Sequence, residues 1–511
     1  MMRLLTFALV VAAAAADDSR NETLDEGYSL EGLQLNLSTC DLFIVALAMA
    51  ENSPLIDSFE AGPAETLRRE PHLARCAVGA DSPLTGPGPG HLAARPMLVA
   101  GTTPVFAAVM AGQSDWLTAI LDAGGDANAR RSDDLEALEF PLLYAAAYGL
   151  VREAQLLIDA GADLDATNGM GHTPLIAATM HGHEDAVRTL LAAGADCNIA
   201  TTPQGGTPAI YAAGALGDVY YEILTVLAAS GRCDLDQVDA NRWSPSEWAA
   251  KSDASGRALD ILATHGADLN QADKWGRTVA HQAASFDHPK VIETLHRHGA
   301  DLTKVVPFTM PGEGGAAPHH VAIVKQSVHA LEALIAAGVD VCAMPPDDGP
   351  DGPGDFLLQA KAHGGNTVYR CVVHGLGPHP AISHYREPKM PGPLLASLRV
   401  LIEEARCDVD ATTTMQGKFV WQPVFAAIET NRPDALRILA AAGADIVTIA
   451  DKKAYSGGDP SRPPPSLADF AEVVSPASAA VLREYGRKAT HRGGSYTEDP
   501  HPDYAEEYAE L

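Results

Sequence analysis

Basic residues are scarce in this sequence of 511 residues. Lysine and arginine number 36 against 66 aspartates and glutamates, which gives a formal net charge of −30. Nonspecific binding of nucleic acids requires surplus cations that neutralise phosphates, and so does attachment to an anionic membrane surface. The composition therefore argues against both functions, and any partner is expected to be neutral or basic.

Aromatic residues and long apolar runs are scarce as well. Aromatic residues make up 6% of the chain, although apolar residues reach 46%, which is too high for global disorder. Alanine fills many of the apolar positions, and an alanine-rich core implies helices that pack closely. The uncharged run Leu4–Ala16 has 13 residues, whereas about 20 are needed to span a bilayer. We therefore predict no membrane span.

The first 16 residues have the layout of a secretory signal peptide. Arg3 provides a basic start, the apolar run follows, and small residues at Ala14 and Ala16 precede the expected cleavage site. We expect cleavage at Ala16 and entry into the secretory pathway, as a secreted protein or a protein of the ER lumen. Candidate glycosylation sequons follow at Asn21 and Asn36, although such matches also arise by chance. The alternative is an unused leader on a cytoplasmic protein.

A repeated phrase organises most of the chain. Thr-Pro-Leu-Ile-Ala-Ala at 173–178 is followed by Gly-Ala-Asp at 194–196, so that the proline and the glycine are 20 residues apart. The same spacing recurs at Pro104 and Gly124, Pro141 and Gly161, Pro318 and Gly338, and Pro423 and Gly443. Val279 and Gly299 keep the spacing without proline, and the units that start at Pro208 and Pro245 carry small insertions.

The phrase suits a pair of helices. Threonine before proline favours a helix start, because the hydroxyl caps free N–H groups and proline fits the first helical position. We expect such caps at Thr103, Thr173 and Thr207. Glycine ends a helix in the left-handed conformation, which we expect for the first helices at Gly112, Gly149 and Gly182. The spaced glycines, including Gly194 and Gly299, should end the second helices.

This pattern resembles the ankyrin repeat, a β-turn and two antiparallel helices in about 33 residues. The resemblance implies an all-α fold, a solenoid of stacked helix–turn–helix units joined by β-hairpin loops. It also implies a non-enzymatic scaffold that binds another protein and needs no cofactor. We assign 1–16 as signal peptide, 17–36 as linker, 37–100 as a degenerate N-terminal repeat with a Pro/Gly-rich insertion, 101–448 as nine repeats with an insertion near 365–393, 449–486 as a C-terminal capping unit, and 487–511 as an acidic disordered tail.

No catalytic motif is evident. The sequence has no Gly-x-Ser-x-Gly elbow, no phosphate-binding loop and no His-Glu-x-x-His helix. His281 and His320 occupy the structural histidine position of the repeat, so we predict hydrogen-bonded, non-catalytic side chains. Only the insertion offers an alternative function, because Cys371, His374, His379 and His384 could bind zinc. Their spacing matches no known zinc motif, so an irregular loop is the leading interpretation and a metal-binding or enzymatic module the alternative.

The seven cysteines do not suggest a disulfide scaffold. Each of four cysteines follows a second helix in its own repeat: Cys197, Cys233, Cys342 and Cys407. Stacked helices lie about 10 Å apart, whereas a disulfide requires Cα atoms within about 7 Å. We therefore predict that these four are unpaired. The only pairs considered are Cys40 with Cys76 and a disulfide from Cys371.

The resemblance also implies a contact surface formed by hairpin tips and by the exposed ends of first helices. The helix ends carry Tyr148, Met180, His181 and Phe286, and the hairpin tips carry Met170, His172, Arg242, Trp243, Lys274, Trp275 and Arg277. Tryptophan and arginine are favoured at binding hot spots, so we centre the predicted surface on residues 240–290. The alternative is that Trp243 and Trp275 pack on neighbouring hairpins and only stiffen the array.

Overall fold

Helices make up nearly all of the regular structure. The computed structural model describes residues 44, 62–69, 71–77, 102–131, 139–305, 317–342, 393–410, 413–415, 419–421, 423–429, 431–446 and 467–490. The chain divides into two compact units, residues 1–245 with 264–267 (unit 1) and residues 246–263 with 268–511 (unit 2). Each unit is a stack of helix pairs, so the predicted fold class is confirmed.

The elements have the following bounds. In the first part of the chain they are α1 Gly62–Arg69, a 3-10 helix Pro71–Arg75, α2 Pro104–Met110, α3 Ser114–Asp122, α4 Pro141–Ala147, α5 Val151–Asp159, α6 Pro174–Met180, α7 Glu184–Ala193, α8 Pro208–Gly214 and α9 Asp218–Ala229. They continue with α10 Pro245–Ser252, α11 Arg257–Thr264, α12 Val279–Ser285, α13 Pro289–Arg297, α14 Pro318–Lys325, α15 Val328–Ala336, α16 Pro393–Glu403, β1 Thr413–Met415, β2 Phe419–Trp421, α17 Pro423–Glu429, α18 Pro433–Ala441, α19 Leu467–Val474 and α20 Pro476–Thr490.

The first helices start where the threonine–proline pairs predict. The side-chain oxygens of Thr103, Thr173 and Thr207 each accept a hydrogen bond from the backbone N–H three residues later, at 3.2–3.3 Å. Such a cap satisfies a donor that has no partner within the helix. Gly149 and Gly182 follow first helices with φ of 66° and 74°, and Gly194 ends α7 with φ of 107°. These positive values explain why glycine recurs at these positions.

Alanine and leucine layers form the core of each unit. In unit 1, first helices α2, α4, α6 and α8 contact one another in order, and second helices α3, α5, α7 and α9 do the same. In unit 2, α12 contacts α14, and α13 contacts α15. Ala145 and Ala146 of α4 are buried, as are Leu190 and Leu191 of α7. Small side chains on the first helices permit this close approach, because packed interiors leave no room for bulk.

A ladder of side-chain hydrogen bonds joins successive repeats after the second helices. The backbone N–H of Asp163 donates to Asn128 Oδ1 at 2.7 Å, and that of Asp196 donates to Asp165 Oδ1 at 2.9 Å. In unit 2 the backbone N–H of Asp301 donates to Asn270 Oδ1 at 2.8 Å. Each acceptor lies two residues after the aspartate of the Gly-Ala-Asp phrase, or of its equivalent. The phrase therefore also builds contacts between repeats.

This ladder explains the cysteine pairing, for which our prediction was wrong. Cys197 forms a disulfide with Cys233, with Cα atoms 5.3 Å apart, and Cys342 forms one with Cys407, with Cα atoms 5.4 Å apart. The prediction used the spacing of helix axes, whereas these cysteines follow the helices. At the first pair, the backbone N–H of the residue after Cys233 donates to the side chain of Asn198 at 2.7 Å. The two segments therefore approach far more closely than the helices do.

Cys76 is also disulfide-bonded, and its expected partner Cys40 lies outside the described residues. The first four residues of the predicted tail 487–511 belong to α20 and are not disordered, and the rest of the tail lies outside the described residues. The predicted signal peptide with Ala16 and the sequons at Asn21 and Asn36 also lie outside them. So does the cluster of Cys371, His374, His379 and His384. The predictions for these segments stay predictions. Within the described residues, no helix is long and apolar enough to cross a membrane.

The two structural histidines are buried and hydrogen-bonded, as predicted. His281 Nδ1 accepts a hydrogen bond from the backbone N–H of Thr278 at 3.1 Å and lies 2.9 Å from the hydroxyl of the same residue. His320 Nδ1 accepts from the backbone N–H of Ala317 at 3.1 Å. Both imidazoles therefore fix the start of a first helix, α12 or α14. Farther along unit 2, β1 and β2 form an antiparallel pair with Met415 opposite Phe419.

Candidate protein-binding surface

The hairpin at residues 168–172 of unit 1 is held by one asparagine. The backbone N–H of Asn168 donates to the carbonyl of His172 at 3.1 Å. Its side-chain oxygen accepts from the backbone N–H groups of Met170 and His172, at 3.0 and 2.8 Å. Gly171 completes the turn with φ of 77°. The hairpin thus exposes Met170 at its tip and half-buries His172.

The hairpin at residues 239–243 repeats this design with an arginine in place of glycine. Asp239 Oδ1 accepts from the backbone N–H groups of Asn241 and Trp243, at 2.8 and 2.9 Å. Arg242 occupies the position of Gly171 and has φ of 60°, a conformation that costs about 1–2 kcal/mol for a residue with a Cβ. Its side chain is exposed, whereas Trp243 is half-buried. The strain makes Arg242 a candidate for a binding role.

The ends of the first helices in unit 1 expose apolar side chains. Tyr148 follows α4 directly, and its ring lies 4.4 Å from the ring of Tyr144 one turn earlier. Tyr144 in turn meets the buried ring of Phe106 edge-on, at 5.5 Å. Met180 ends α6 and His181 follows it, and both are exposed. This arrangement offers an aromatic and apolar surface supported by a packed core.

Two side chains at this surface have perturbed pKa values. Burial lowers the pKa of His172 from its usual range, and repulsion from the charged form of His181 lowers it further. Burial raises the pKa of the Tyr144 hydroxyl, and Tyr148 raises it further. Because its pKa is lowered, His172 is mostly neutral at neutral pH, where its imidazole can both donate and accept hydrogen bonds.

The sequence prediction missed an apolar extension of this surface in the next repeat. Leu216 lies in the loop after α8, and Val219 lies in the first turn of α9, and both are exposed. The hydroxyl of Tyr220 donates to the carbonyl of Met180 at 3.1 Å, so this loop reaches back to α6. The sequence did contain a signal for an irregular loop in this repeat, because Pro208 and Gly231 are more than 20 residues apart.

The hairpin tip of unit 2 holds Trp275 between cations. Lys274 Nζ lies 4.3 Å from the centre of the indole ring, and Arg277 Cζ lies 4.5 Å from it. Arg277 Nε also donates to the buried carboxylate of Asp273 at 2.9 Å. Lys274 is exposed, whereas Trp275 and Arg277 are half-buried. These contacts favour the interpretation that Trp275 stiffens its own hairpin, and whether Trp243 and Trp275 are binding hot spots stays a prediction.

Phe286 follows the first helix α12 of unit 2 and is exposed, like Tyr148 at the same place in its own repeat. Its ring stacks on His288, with centres 6.0 Å apart. The predicted set is therefore divided between the units, with Tyr148, Met170, His172, Met180, His181, Arg242 and Trp243 in unit 1 and Lys274, Trp275, Arg277 and Phe286 in unit 2. Within the part of the chain that the structure describes, no group of three or more His, Cys, Asp or Glu side chains could hold a metal ion.

Comparison with known proteins assigns the repeat. A family model described as "Ankyrin repeats (3 copies)" matches residues 105–201, 142–239 and 246–344. The ankyrin repeat domain of Bcl-3, a member of the IkappaB family, is a solved structure that is 24% identical and has a TM-score of 0.40. That match covers 46% of this chain and 99% of the Bcl-3 chain.

Several curated proteins share short stretches with the chain. The potassium channel AKT1 of Oryza sativa subsp. indica is 38% identical over 90 residues, which are 17% of this chain and 9% of the channel. The NF-kappa-B p105 subunit of Rattus norvegicus is 32% identical over 85 residues, 17% of this chain and 8% of p105. The ankyrin repeat domain-containing protein SAT10 of Stachybotrys chartarum is 25% identical over 219 residues, 37% of this chain and 11% of SAT10. The chain spans about a tenth of the length of these relatives.

The family match falls on the helix pairs described above, and their capping threonines, terminal glycines and buried histidines fit the repeat residue by residue. The chain is an ankyrin repeat-containing protein.

Proposed function

We propose that this protein is a non-enzymatic scaffold that enters the secretory pathway and binds a neutral or basic partner protein through its ankyrin repeats. The observation that carries protein binding is the exposed apolar surface of unit 1. Tyr148 and Met180 lie at equivalent helix ends of successive repeats, and Met170 lies on a hairpin tip. Clustered exposed apolar side chains mark interaction sites, because water disfavours them.

The charge of unit 1 supports a neutral or basic partner. Residues 102–245 contain no lysine, six arginines and 19 acidic residues. Five of the arginines have contacts within the chain: Arg130 with Glu139, Arg131 over the ring of Phe106, Arg152 with Asp115, Arg188 with Glu184, and Arg232 with the carbonyls of Leu191, Gly194 and Ala195. The surface is therefore acidic, which speeds association with basic partners and repels acidic ones.

The disulfides support entry into the secretory pathway. Cys197–Cys233 and Cys342–Cys407 each join successive second-helix ends, and Cys76 is also disulfide-bonded. Disulfides persist in oxidising compartments and are rare in the cytosol, where thiols are kept reduced. The signal-like leader at 1–16 points to the same route. Sequencing of the mature N-terminus tests it, because a chain that begins at Asp17 supports secretion and an intact Met1 contradicts it.

Protein binding is tested by photo-cross-linking of the full chain in the cells that secrete it. A photoreactive amino acid replaces Met170 or Tyr148 on the candidate surface, and Thr118 on the exposed side of α3 in a control. The same partner protein should be captured from both surface positions and not from Thr118. Capture from Thr118 alone, or from none of the three, would contradict the proposal.

A further inference from the structure

Four of the six exposed large apolar side chains in the described residues lie at one end of three successive repeats. They are Tyr148, Met180, Leu216 and Val219, with exposed fractions of 56, 37, 64 and 39%. We refer to them as the apolar ridge. We infer that the apolar ridge binds a basic amphipathic segment of a partner protein, an inference that rests on the protein-binding function proposed above.

Contacts between repeats make the ridge continuous. His183 Nε2 lies 2.9 Å from the carbonyl of Ala147, which places the turn after α6 against the end of α4, beside Tyr148. The Tyr220 hydroxyl donates to the carbonyl of Met180, which holds the start of α9 on the end of α6. A Cβ added to Gly182 would meet Val219 Cγ1 at 3.4 Å, so these neighbours are in van der Waals range. The end of α4, the end of α6 and the start of α9, which carry Tyr148, Met180 and Val219, are therefore joined across three successive repeats.

The lengthened repeat gives the ridge its most exposed member, Leu216. α9 has 12 residues, against nine or ten in α5 and α7, and the loop before it carries Leu216. Leucine that is 64% exposed contributes little to the core of its own repeat. A loop of this kind needs no apolar residue for folding, whereas a partner gains from burying one, at about 25 cal/mol per Å² of apolar surface. The composition of the loop is thus better explained by docking than by stability.

Acidic residues border the ridge. Glu184 and Asp185 lie in the first turn of α7, and Asp218 lies in the first turn of α9, with Glu222 one turn later. Asp185, Asp218 and Glu222 are exposed, whereas Glu184 is paired with an arginine on its own helix. A partner segment that brings apolar side chains to the ridge would therefore be attracted by lysines and arginines on its flanks.

A designed peptide tests this chemistry directly. The probe is a helical peptide of about 18 residues, five turns, with leucines on one face and lysines on the others. Its acidic twin has glutamate in place of lysine. Binding of both to the full oxidised chain is measured by fluorescence anisotropy. The protein variants are the double variant L216S/V219S, Tyr148→Ser, Met170→Ser on the hairpin tip and, as control, Thr118→Ser, whose side chain is exposed on α3.

We expect the lysine peptide to bind, to lose at least tenfold in affinity with L216S/V219S and with Tyr148→Ser, and to be unaffected by Thr118→Ser. Equal binding of the acidic twin, or unchanged affinity in the double variant, would overturn the inference. If affinity falls only with Met170→Ser, the peptide docks at the hairpin tips. That result would agree with the proposed protein-binding function and would contradict docking at the apolar ridge. Absence of peptide binding would also contradict docking at the apolar ridge. The proposed protein-binding function would still be tested separately, by cross-linking from Met170.

Discussion

Removal of the disulfide between Cys197 and Cys233 should loosen unit 1 locally. The two residues are 36 apart in sequence, and closing a loop of that length removes about 13 cal/mol/K of chain entropy from the unfolded state. At 25 °C this corresponds to about 4 kcal/mol. The pair Cys342 and Cys407 is 65 apart, and because the dependence on length is logarithmic, its removal should cost only a few tenths of a kcal/mol more.

Hydrogen exchange measured by mass spectrometry can separate these two contributions. In stacked repeats each unit interacts only with its neighbours, so lost stability stays near the site of the change. The double variant C197A/C233A should lose protection in α7 and α9, by up to several hundred-fold for about 4 kcal/mol. The double variant C342A/C407A is the matched control and should change exchange in α15 and α16 instead.

Two results would refute this reasoning. One is a free-thiol titration that finds Cys197 and Cys233 reduced in protein isolated without a reducing agent. The other is exchange in α7 and α9 that changes by less than twofold in C197A/C233A. In the second case the ladder of backbone and side-chain hydrogen bonds alone would hold the two segments together, and the disulfide would be redundant.

Three further predictions concern single side chains. Asn198→Ala should lower the free energy of unfolding of unit 1, measured in urea, by about 1–2 kcal/mol, because the backbone N–H of Asp234 loses its acceptor. Asn198→Asp keeps an acceptor and should lower it less. Equal losses in the two variants would contradict a stabilising role of the ladder. Arg242→Gly should raise the free energy of unfolding by about 1 kcal/mol, because glycine adopts a positive φ without strain. The same variant should weaken partner binding if the arginine side chain contacts the partner. A lower melting temperature of the variant would contradict the strain at Arg242. Hydrogen bonding to Asp287 raises the pKa of His329 in the folded protein. The pair therefore stabilises the fold fully at a pH below the pKa of histidine in the unfolded chain, and this stabilisation is lost as the pH rises through the raised pKa of the folded state. The melting-temperature difference between wild type and Asp287→Asn should therefore shrink above neutral pH, and a difference that is constant with pH would exclude the pair as its cause.

The sequence predicted the features that depend on local backbone chemistry. Thr173 caps α6 and Gly194 ends α7 because a hydroxyl acceptor and a residue tolerant of positive φ are required there, whatever surrounds them. The periodic positions of alanine and leucine similarly defined the core.

The sequence did not predict features that depend on how two repeats approach each other. Cys197 and Cys233 pair because the ladder draws their segments together, and no spacing within one repeat reveals that distance. The apolar ridge was found only in part, since Tyr148 and Met180 lie at recognised helix ends of the repeat, whereas Leu216 and Val219 belong to the irregular loop after α8 and to the first turn of α9. The sequence placed Arg242 on a hairpin tip but did not reveal its positive φ, which is evident only in the backbone.

In unit 1 the stabilising ladder and disulfide lie at the opposite end of the helix pairs from the apolar ridge. The ladder and the disulfide lie after the second helices, at the end where Gly194 terminates α7, whereas the ridge lies where α6 ends and α7 begins. α7 has ten residues, so a rise of 1.5 Å per residue separates these ends by about 15 Å. Changes that far apart with no shared contacts act independently on stability. Substitutions at Leu216 or Val219 should therefore leave the ladder intact, and a loss of binding there can be assigned to the surface itself.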